Sequence, residues 1–268
     1  MPQLSVIIPV YKTEISQLIE ALASIIVALP RDGEIHIGFD GEYDENRIAT
    51  LEDLCARSRL NKVRISRLKR QGLVATLNAL VEQSDCQLLA RHDGDDICLP
   101  ERFTQQLSAM ESNSLYSFCG TQITRCNSAL IPHRIQRKYP STFRGQLIYA
   151  SLINNPIAHP TLMIRRHILE TYRYEEVPGA EDWDLYIRLW RAGHRSFNLK
   201  QAGLLYRIHS GQVTQQNREG RLLKELKKRS FEVAMYHNVN YKLAKPLYFL
   251  SNRVNFSELA IKAKRWLS

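Results

Sequence analysis

Three carboxylates fall within four residues, at Asp93, Asp95 and Asp96, directly after the short apolar run Leu88–Ala90. A buried strand that ends at a polar edge gives this pattern, and open α/β sheets bind ligands beyond the carboxyl ends of their strands. Like charges this close repel one another unless a cation lies among them, and hard divalent cations such as Mg²⁺ or Mn²⁺ take carboxylate oxygens together with phosphates. The stretch therefore predicts a metal site beside a phosphorylated ligand. A solvated acidic turn around Gly94 is the alternative.

Alternating strands and helices would position this acidic stretch. Apolar runs of strand length are followed four times by segments with helical spacing over about 110 residues, which predicts a parallel sheet covered on both faces. Thr13 is the expected N-cap of the first helix. No G-x-G-x-x-G follows the first strand, so a dinucleotide-binding domain is not expected. The strands are predicted at Leu4–Tyr11, Glu34–Phe39, Lys62–Ile65 and Cys86–Ala90, and the helices over 13–29, up to about Arg57, at Gly72–Val81 and at Pro100–Met110.

The second half of the chain is less regular. A helix with Trp183, Ile187 and Trp190 on one stripe is expected after Gly179. A shorter helix is predicted at Gly145–Ser151. The remaining strands are predicted at Ser117–Arg125, Thr161–Arg165, Ser196–Leu199 and Gly203–Ile208.

Composition indicates a soluble protein of a reducing compartment. The five cysteines are an odd number without a C-x-x-C pair, which argues against both a disulfide framework and a zinc knuckle. The N-terminal apolar run lacks the basic lead-in of a secretory signal and contains Pro9. We therefore expect a cytoplasmic protein.

The net charge of +10 is concentrated near the C-terminus. Residues 219–268 hold 11 Lys/Arg and 4 Asp/Glu, a net +7, so the remaining 218 residues carry only +3. Asn255 and Glu258 could form a capping box that opens a basic amphipathic helix. Such a helix is typical of proteins that lie on an anionic membrane surface. A helix packed on the protein body is an equally open reading.

Several short blocks of the sequence occur in the order found in family 2 glycosyltransferases, and over residues 4–214 the chain resembles that family. The resembling subgroup builds bacterial surface polysaccharides such as O-antigen and capsule. His92 departs from the pattern, because a small apolar residue such as Met is expected there. The blocks are Ser5–Tyr11, Asp40-Gly41, Gly72–Asn78, Ala90–Asp96, Asn155-Pro156 with His159-Pro160, Glu181–Leu185 and Tyr206–His209.

The resemblance implies a GT-A fold, which is an α/β fold with a Rossmann-like, mostly parallel central sheet flanked by helices. Residues 1–218 would form the catalytic domain, with a nucleotide-binding half at 1–112 and an acceptor half at 113–218. Residues 219–268 would be a basic, helical C-terminal extension.

The same resemblance assigns the donor and metal sites. Asp95 would hold the metal that bridges the diphosphate, and Asp93 would share that metal or lie nearer the ribose. His209 could complete the metal shell or contact the diphosphate, or be an ordinary surface histidine. Asp40 would bind the nucleobase, usually uracil, unless it only forms a turn with Gly41. Pro9, Tyr11, Gly72, Asn78 and Arg91 complete the expected donor-binding residues.

On the acceptor side, inversion by direct displacement needs one general base, and we predict that Asp182 fills this role. Its place at the start of a helix favours the ionised carboxylate. Glu181 is the rival base, and an ordinary acidic N-cap is the alternative for Asp182. His159 would shape the acceptor pocket or serve structurally, and Arg207 would pair with a phosphate or with a core carboxylate.

These features together predict an inverting hexosyltransferase that uses a UDP-sugar and Mn²⁺ or Mg²⁺. The expected acceptor is an undecaprenyl-diphosphate-linked saccharide, met by a peripheral enzyme on the cytoplasmic face of the inner membrane. A sugar-phosphate nucleotidyltransferase is the enzymatic alternative, but it would normally present a glycine-rich phosphate loop after the first strand. A nucleic-acid-binding module would interleave exposed aromatic residues with the basic charge, so no nucleic acid is expected.

Overall fold

A computed structural model describes residues 3–41, 44–57, 62–134, 136, 138–208 and 221–237. In that part of the chain, strands and helices alternate through the first half and become less regular in the second, as the sequence predicts. A 3₁₀ turn occupies His159–Thr161. The strands are β1 (Leu4–Val10), β2 (Glu34–Asp40), β3 (Lys62–Leu68), β4 (Leu88–Arg91), β5 (Ile97–Cys98), β6 (Tyr116–Cys126), β7 (Met163–Arg165) and β8 (Arg195–Arg207). The helices are α1 (Ile15–Ala28), α2 (Glu45–Ala56), α3 (Leu73–Gln83), α4 (Arg102–Ser112), α5 (Phe143–Leu152), α6 (Arg166–Thr171), α7 (Glu181–Arg191) and α8 (Arg221–Tyr236).

The strands form one sheet in the order β3-β2-β1-β4-β7-β6-β8-β5. The first four strands of this order are mutually parallel, β7 is antiparallel to both of its neighbours, and β6 and β8 run parallel to each other. The short strand β5 closes the edge antiparallel to β8. The predicted class, an α/β protein with a mostly parallel central sheet, is confirmed.

Helices cover both faces of this sheet. Successive residues of β1 point to opposite sides and therefore pack into two different cores. Ile7 belongs to the core shared with α3, α7 and α8. Val6 and Ile8 belong to the core shared with α1 and α4. Each fully buried aliphatic side chain of this kind contributes about 1.5–3 kcal/mol, so the sheet holds the strand ends in fixed positions.

Two local predictions were wrong. Thr13 is not the N-cap of α1, because the cap position is Glu14 and no side chain bonds to the free backbone N–H groups. The two strands predicted at Ser196–Leu199 and Gly203–Ile208 are one continuous strand, β8. A Cβ at Gly203 would lie 2.7 Å from Oγ1 of Thr121, so this glycine lets β8 approach β6 closely and does not mark a turn.

The first part of the basic C-terminal region packs on the protein body. Leu226, Val233 and Ala234 of α8 are buried in the core that α5 and α7 share. The Nε1 of Trp183 on α7 donates a hydrogen bond to Oγ of Ser230 at 3.2 Å. The expected capping box at residues 255–258 and its amphipathic helix lie outside the described residues. No helix in the described part of the chain is long and apolar enough to cross a membrane.

Candidate active site

One cleft joins the acidic stretch to the start of α7. The cleft has a volume of about 1080 Å³, and its walls include Asp93 and Asp95 after β4 together with Glu181 and Asp182 of α7. Single-ligand pockets usually enclose about 300–1,000 Å³, so the cleft is large enough for two small substrates side by side. The carboxyl ends of β1, β2 and β4 lie at one edge of the sheet because these strands are parallel. The sequence-predicted metal and base residues therefore border the same cavity.

The acidic loop after β4 concentrates negative charge. Carboxylate oxygens of Asp93, Asp95 and Asp96 all lie within 4.8 Å of one another. Asp93 forms an ion pair of 2.5 Å with Arg91. Burial raises the pKa of Asp93, and repulsion from Asp95 and Asp182 adds to this rise against the attraction of Arg91. Asp182, the predicted base, is therefore close enough to the acidic loop for its charge to act on Asp93.

Asp96 holds this loop from its buried side. Its side chain is fully buried, and its Oδ1 accepts a hydrogen bond of 2.9 Å from the backbone N–H of Arg207 at the end of β8. Burial raises the pKa of Asp96 well above its usual value, with further contributions from Asp93 and Asp95. Asp96 does not line the cleft, so its contact with the Arg207 backbone supports the loop from the side away from the cavity.

Arg207 also holds the loop and is not positioned as a phosphate ligand. Its Nε donates to the carbonyl oxygen of Asp95 at 2.6 Å, and its Nη1 donates to the carbonyl oxygen of Ser128 at 2.6 Å. Its Nη2 pairs with the carboxylate of Glu20 on α1. Arg207 is 4% exposed and does not line the cleft. Its guanidinium group donates to two backbone carbonyls and pairs with the exposed Glu20. The sequence-based expectation of a phosphate or a core carboxylate as its partner was therefore wrong.

The acidic loop fits a divalent cation. Asp93 and Asp95 supply hard oxygen donors at the cleft surface, and a bound cation would relieve the repulsion between their carboxylates. Residues Asp93 and Asp95 would hold the ion. His209, the third predicted ligand, lies outside the described residues.

Some of the expected donor residues line the cleft near the carboxyl end of β1. Pro9 and Tyr11 line it, and the half-exposed Tyr11 ring faces the guanidinium of Arg70 at 5.2 Å. Asp40 lies next to this region, where its Oδ1 and Oδ2 accept the backbone N–H groups of Gln71 at 2.6 Å and Gly72 at 3.0 Å.

Gly72 precedes α3 with a φ of 88°, a left-handed conformation that disfavours residues with a Cβ. Asp40 and Gly72 thus shape the turn that leads to Leu73 and Val74 in the cleft wall. Since both of its oxygens bond to this turn, Asp40 fixes the local backbone.

The prediction that Asn78 binds the donor was wrong. It is absent from the cleft wall, because its side-chain amide pairs with the backbone of Tyr174 through two hydrogen bonds of 3.0 and 3.1 Å. This pairing positions Tyr174, whose hydroxyl group lies 3.0 Å from Nε2 of His159. His159 is buried and lines the cleft, so the pairing fixes a ring at the predicted acceptor side.

Asp182 lies in the first turn of α7 and is 4% exposed. Nδ2 of Asn155 donates to its Oδ2 at 2.5 Å, and the backbone N–H of Trp183 donates to its Oδ1 at 2.8 Å. The N-cap is Ala180, so Asp182 is not the cap of this helix. Glu181 also borders the cleft but is more exposed. The two donated hydrogen bonds hold the carboxylate of Asp182 in one orientation.

Residues 5–173 match the profile of the family described as glycosyl transferase family 2. This chain belongs to that family. The match covers the acidic loop, and the family assignment confirms the resemblance noted in the sequence.

The relatives of this glycosyltransferase include three bacterial proteins. It is 28% identical over 221 residues to the amylovoran biosynthesis glycosyltransferase AmsE of Erwinia amylovora, covering 81% of this chain and 79% of AmsE. It is 28% identical to the putative glycosyltransferase EpsE of Bacillus subtilis, covering 77% and 73% of the two chains. The O-antigen biosynthesis glycosyltransferase WbnJ of Escherichia coli is 32% identical over 154 residues, covering 56% of this chain and 59% of WbnJ.

A solved structure of S. aureus TarS in complex with UDP-GlcNAc has the same fold. The TM-score is 0.65 at 17% sequence identity, and the superposition covers 93% of this glycosyltransferase and 79% of the TarS chain. The GT-A fold expected from the sequence is therefore confirmed.

Sequence reasoning missed part of the cleft wall of this glycosyltransferase. Arg125 and Tyr206, at the ends of β6 and β8, line the cleft together with Tyr139 from the irregular segment before α5. Arg125 and Tyr206 face each other in the β6–β8 register. The signal was available for the strand residues, since both lie at predicted strand ends. Nothing in the local sequence pattern indicates that Tyr139 joins them.

Proposed function

We propose that this family 2 enzyme transfers a hexose from a UDP-sugar to a hydroxyl group of a lipid-linked saccharide, with inversion at the anomeric carbon. The observation that carries the proposal is the shared cleft of Asp93, Asp95 and Asp182. This arrangement puts anion-stabilising and proton-accepting chemistry on two walls of one cavity. A transfer between two bound substrates requires both.

The donor half of the proposal is supported by the cleft end at Pro9 and Tyr11. An exposed aromatic ring flanked by the cations of Lys12 and Arg70 suits a planar base and an anionic diphosphate. TarS, which has the same fold, binds UDP-GlcNAc. A Mg²⁺ or Mn²⁺ ion held by Asp93 and Asp95 would supply positive charge that stabilises the departing nucleoside diphosphate. The ion pair with Arg91 keeps Asp93 oriented before the donor arrives.

On the acceptor wall, the carboxylate of Asp182 takes the proton of the attacking hydroxyl group. The oxygen then bonds to the anomeric carbon from the face opposite the diphosphate, whose bond to that carbon breaks. A single displacement of this kind inverts the configuration. Asn155 and the Trp183 N–H hold the base in place throughout, because each donates to a different oxygen of Asp182.

A saccharide acceptor in surface-polysaccharide synthesis is supported by the relatives, since AmsE and WbnJ are named for amylovoran and O-antigen biosynthesis. A lipid-linked acceptor would be met at a membrane surface. Residues 238–268 carry six Lys/Arg and one Glu, a net +5 that favours an anionic bilayer. We propose that this terminal stretch keeps the enzyme peripheral to the cytoplasmic face of the inner membrane.

A panel of nucleotide sugars tests the donor assignment. The full chain is incubated with Mn²⁺ and each UDP- or GDP-sugar, and released nucleoside diphosphate is measured. We expect slow release from one or a few UDP-sugars and none after addition of EDTA. Release from a GDP-sugar alone would overturn the uridine assignment. Failure to bind or turn over any nucleotide sugar would overturn the proposed function.

A further inference from the structure

The acceptor wall of the cleft contains a small apolar platform. Ile123 and Leu204 are buried together with Ala158, and the half-buried rings of Tyr139 and Tyr206 pack against this group. Ile123 pairs in register with Leu204, so both point to the same face of the sheet. Aromatic rings over an aliphatic base offer a flat apolar surface of the kind against which the C–H face of a pyranose ring packs.

Arg125 lies at the edge of this platform. It is two residues beyond Ile123 on β6 and opposite Tyr206 on β8, so the same face presents its side chain to the cleft. The side-chain amide of Gln136 bonds to both the N–H and the carbonyl of Arg125, at 2.7 and 3.0 Å. These two hydrogen bonds fix the backbone of Arg125, from which its side chain projects.

The guanidinium group of Arg125 is available to a ligand. Among the residues that the structure describes, it has no ion pair and no hydrogen-bond acceptor. Arg91 and Arg207, the other arginines of this region, are paired with Asp93 and Glu20. A half-buried guanidinium beside a sugar-sized platform is suited to an oxyanion, because its planar fork donates two parallel hydrogen bonds.

The platform belongs to the acceptor wall. Ala158 is part of it, and Asn155 of the same segment bonds to Asp182. The segment that holds the predicted base therefore also forms the platform beside Arg125. A ligand whose hydroxyl group reaches Asp182 would extend over Tyr139 and Tyr206.

We propose that Arg125 binds an oxyanion carried by the acceptor, while Tyr139 and Tyr206 pack against an adjacent sugar ring. The inference rests on the proposed function, because it assigns the second substrate of the same cleft. Two groups have the required chemistry, the diphosphate of a lipid carrier and the carboxylate of an acidic sugar.

The test is ligand-observed NMR on the full chain, with UDP and Mn²⁺ present at saturation to fill the donor end. One arm compares farnesyl diphosphate with farnesol below their aggregation limits. The other compares methyl glucuronide with methyl glucoside. The variant is Arg125→Gln, Arg125→Lys preserves the charge, and Arg144→Gln alters an exposed arginine of α5 outside the cleft.

We expect the wild type to prefer the charged probe in one arm, which identifies the oxyanion. Arg125→Gln should weaken that probe about tenfold, as expected for one lost charge-assisted contact, and leave the neutral probe and UDP unchanged. Arg125→Lys should recover part of the loss, and Arg144→Gln should match the wild type.

Three results would overturn the inference. They are no preference for a charged probe in either arm, equal losses for charged and neutral probes, and a loss of UDP affinity in Arg125→Gln, which would assign Arg125 to the donor diphosphate. Failure of the proposed function is separate, since it would appear as absent UDP binding in the wild type.

Discussion

Asn155, which precedes the 3₁₀ turn at His159–Thr161, donates a 2.5 Å hydrogen bond to the carboxylate of Asp182 in the first turn of α7. The partner oxygen of Asp182 is held by the N–H of Trp183. The carboxylate is therefore oriented before any substrate is present. A general base must be positioned within hydrogen-bonding reach of the proton that it accepts, and these two contacts supply that positioning.

Asp182→Asn should remove proton transfer and preserve donor binding. The amide has nearly the same shape but cannot act as a base, so we expect kcat for sugar transfer to fall by about 10²–10⁴-fold. UDP affinity in Mn²⁺ should stay within about twofold of the wild type. Glu181→Gln is the matched control and should retain most of the transfer activity. The opposite ranking of these two variants would move the base to Glu181.

Arg207→Lys should loosen the acidic loop. A lysine cannot make the separate contacts that the guanidinium makes with Asp95, Ser128 and Glu20. We expect Mn²⁺-dependent UDP binding to weaken about tenfold, with a fall in Tm of about 2–8 °C, since about 1–2 kcal/mol is lost.

Glu20→Gln is the comparison for Arg207→Lys, because Glu20 is half exposed and its loss leaves both carbonyl contacts of Arg207 intact. Its effects should be smaller on both measurements. If Arg207→Lys weakened UDP binding equally with and without Mn²⁺, Arg207 would contact the nucleotide directly.

His92→Met should make the protein more tolerant of acid. Burial lowers the pKa of His92 well below its usual value, and Arg102 contributes further. Below about pH 6.5 the unfolded chain takes up a proton at this position that the folded protein refuses, so this residue reduces stability as the pH falls. Methionine does not titrate, so the variant loses this contribution to the pH dependence of stability. It also lacks the buried Nε2, which has no hydrogen-bond partner among the described residues.

The measurement for His92→Met is the change in Tm between pH 7 and pH 5. We expect a smaller decrease in the variant than in the wild type, with nearly equal Tm values at pH 7. His167→Gln, which replaces an exposed histidine of α6, should behave as the wild type. Identical pH profiles for His92→Met and the wild type would show that His92 takes no part in acid unfolding.

Deletion of residues 242–268 should release the enzyme from anionic vesicles. One face of α8 is buried in the core and its outer face exposes Arg221, Lys224 and Lys228, so the deletion measures what the basic residues beyond α8 contribute. Co-sedimentation with phosphatidylglycerol vesicles at low and high salt measures this binding. We expect the full chain to bind at low salt, and the truncated chain to stay in the supernatant while retaining UDP affinity. Equal sedimentation of the two chains would exclude the terminal stretch as the anchor.

Local sequence pattern predicted the parts of the fold that depend on a single strand or helix. The apolar run before Asp93 predicted β4, and the helical spacing of apolar residues after Gly179 predicted α7. Both patterns follow directly from which residues of a single element are buried. The break predicted between Leu199 and Gly203 was wrong, since a glycine that permits close strand packing has the same local appearance as one at the boundary of a strand.

The candidate site was predicted only in part, because several of its contacts depend on partners far apart in the chain. Arg207 suggested a phosphate ligand, yet its partner Glu20 lies 187 residues away on α1. Asn78 is taken by the backbone of Tyr174, 96 residues distant. Which polar side chain reaches a ligand and which supports the backbone depends on such pairings, and no local pattern contains them.

The central claim is that Asp95 binds the donor through a divalent ion in the cleft that Asp182 borders. The most direct test is calorimetric titration of UDP into the wild type and Asp95→Asn, each with Mn²⁺ and with EDTA. The wild type should bind UDP at least tenfold more tightly with Mn²⁺, and Asp95→Asn should lose that gain while keeping the metal-free affinity. Equal UDP affinity of the two proteins under both conditions would contradict the account.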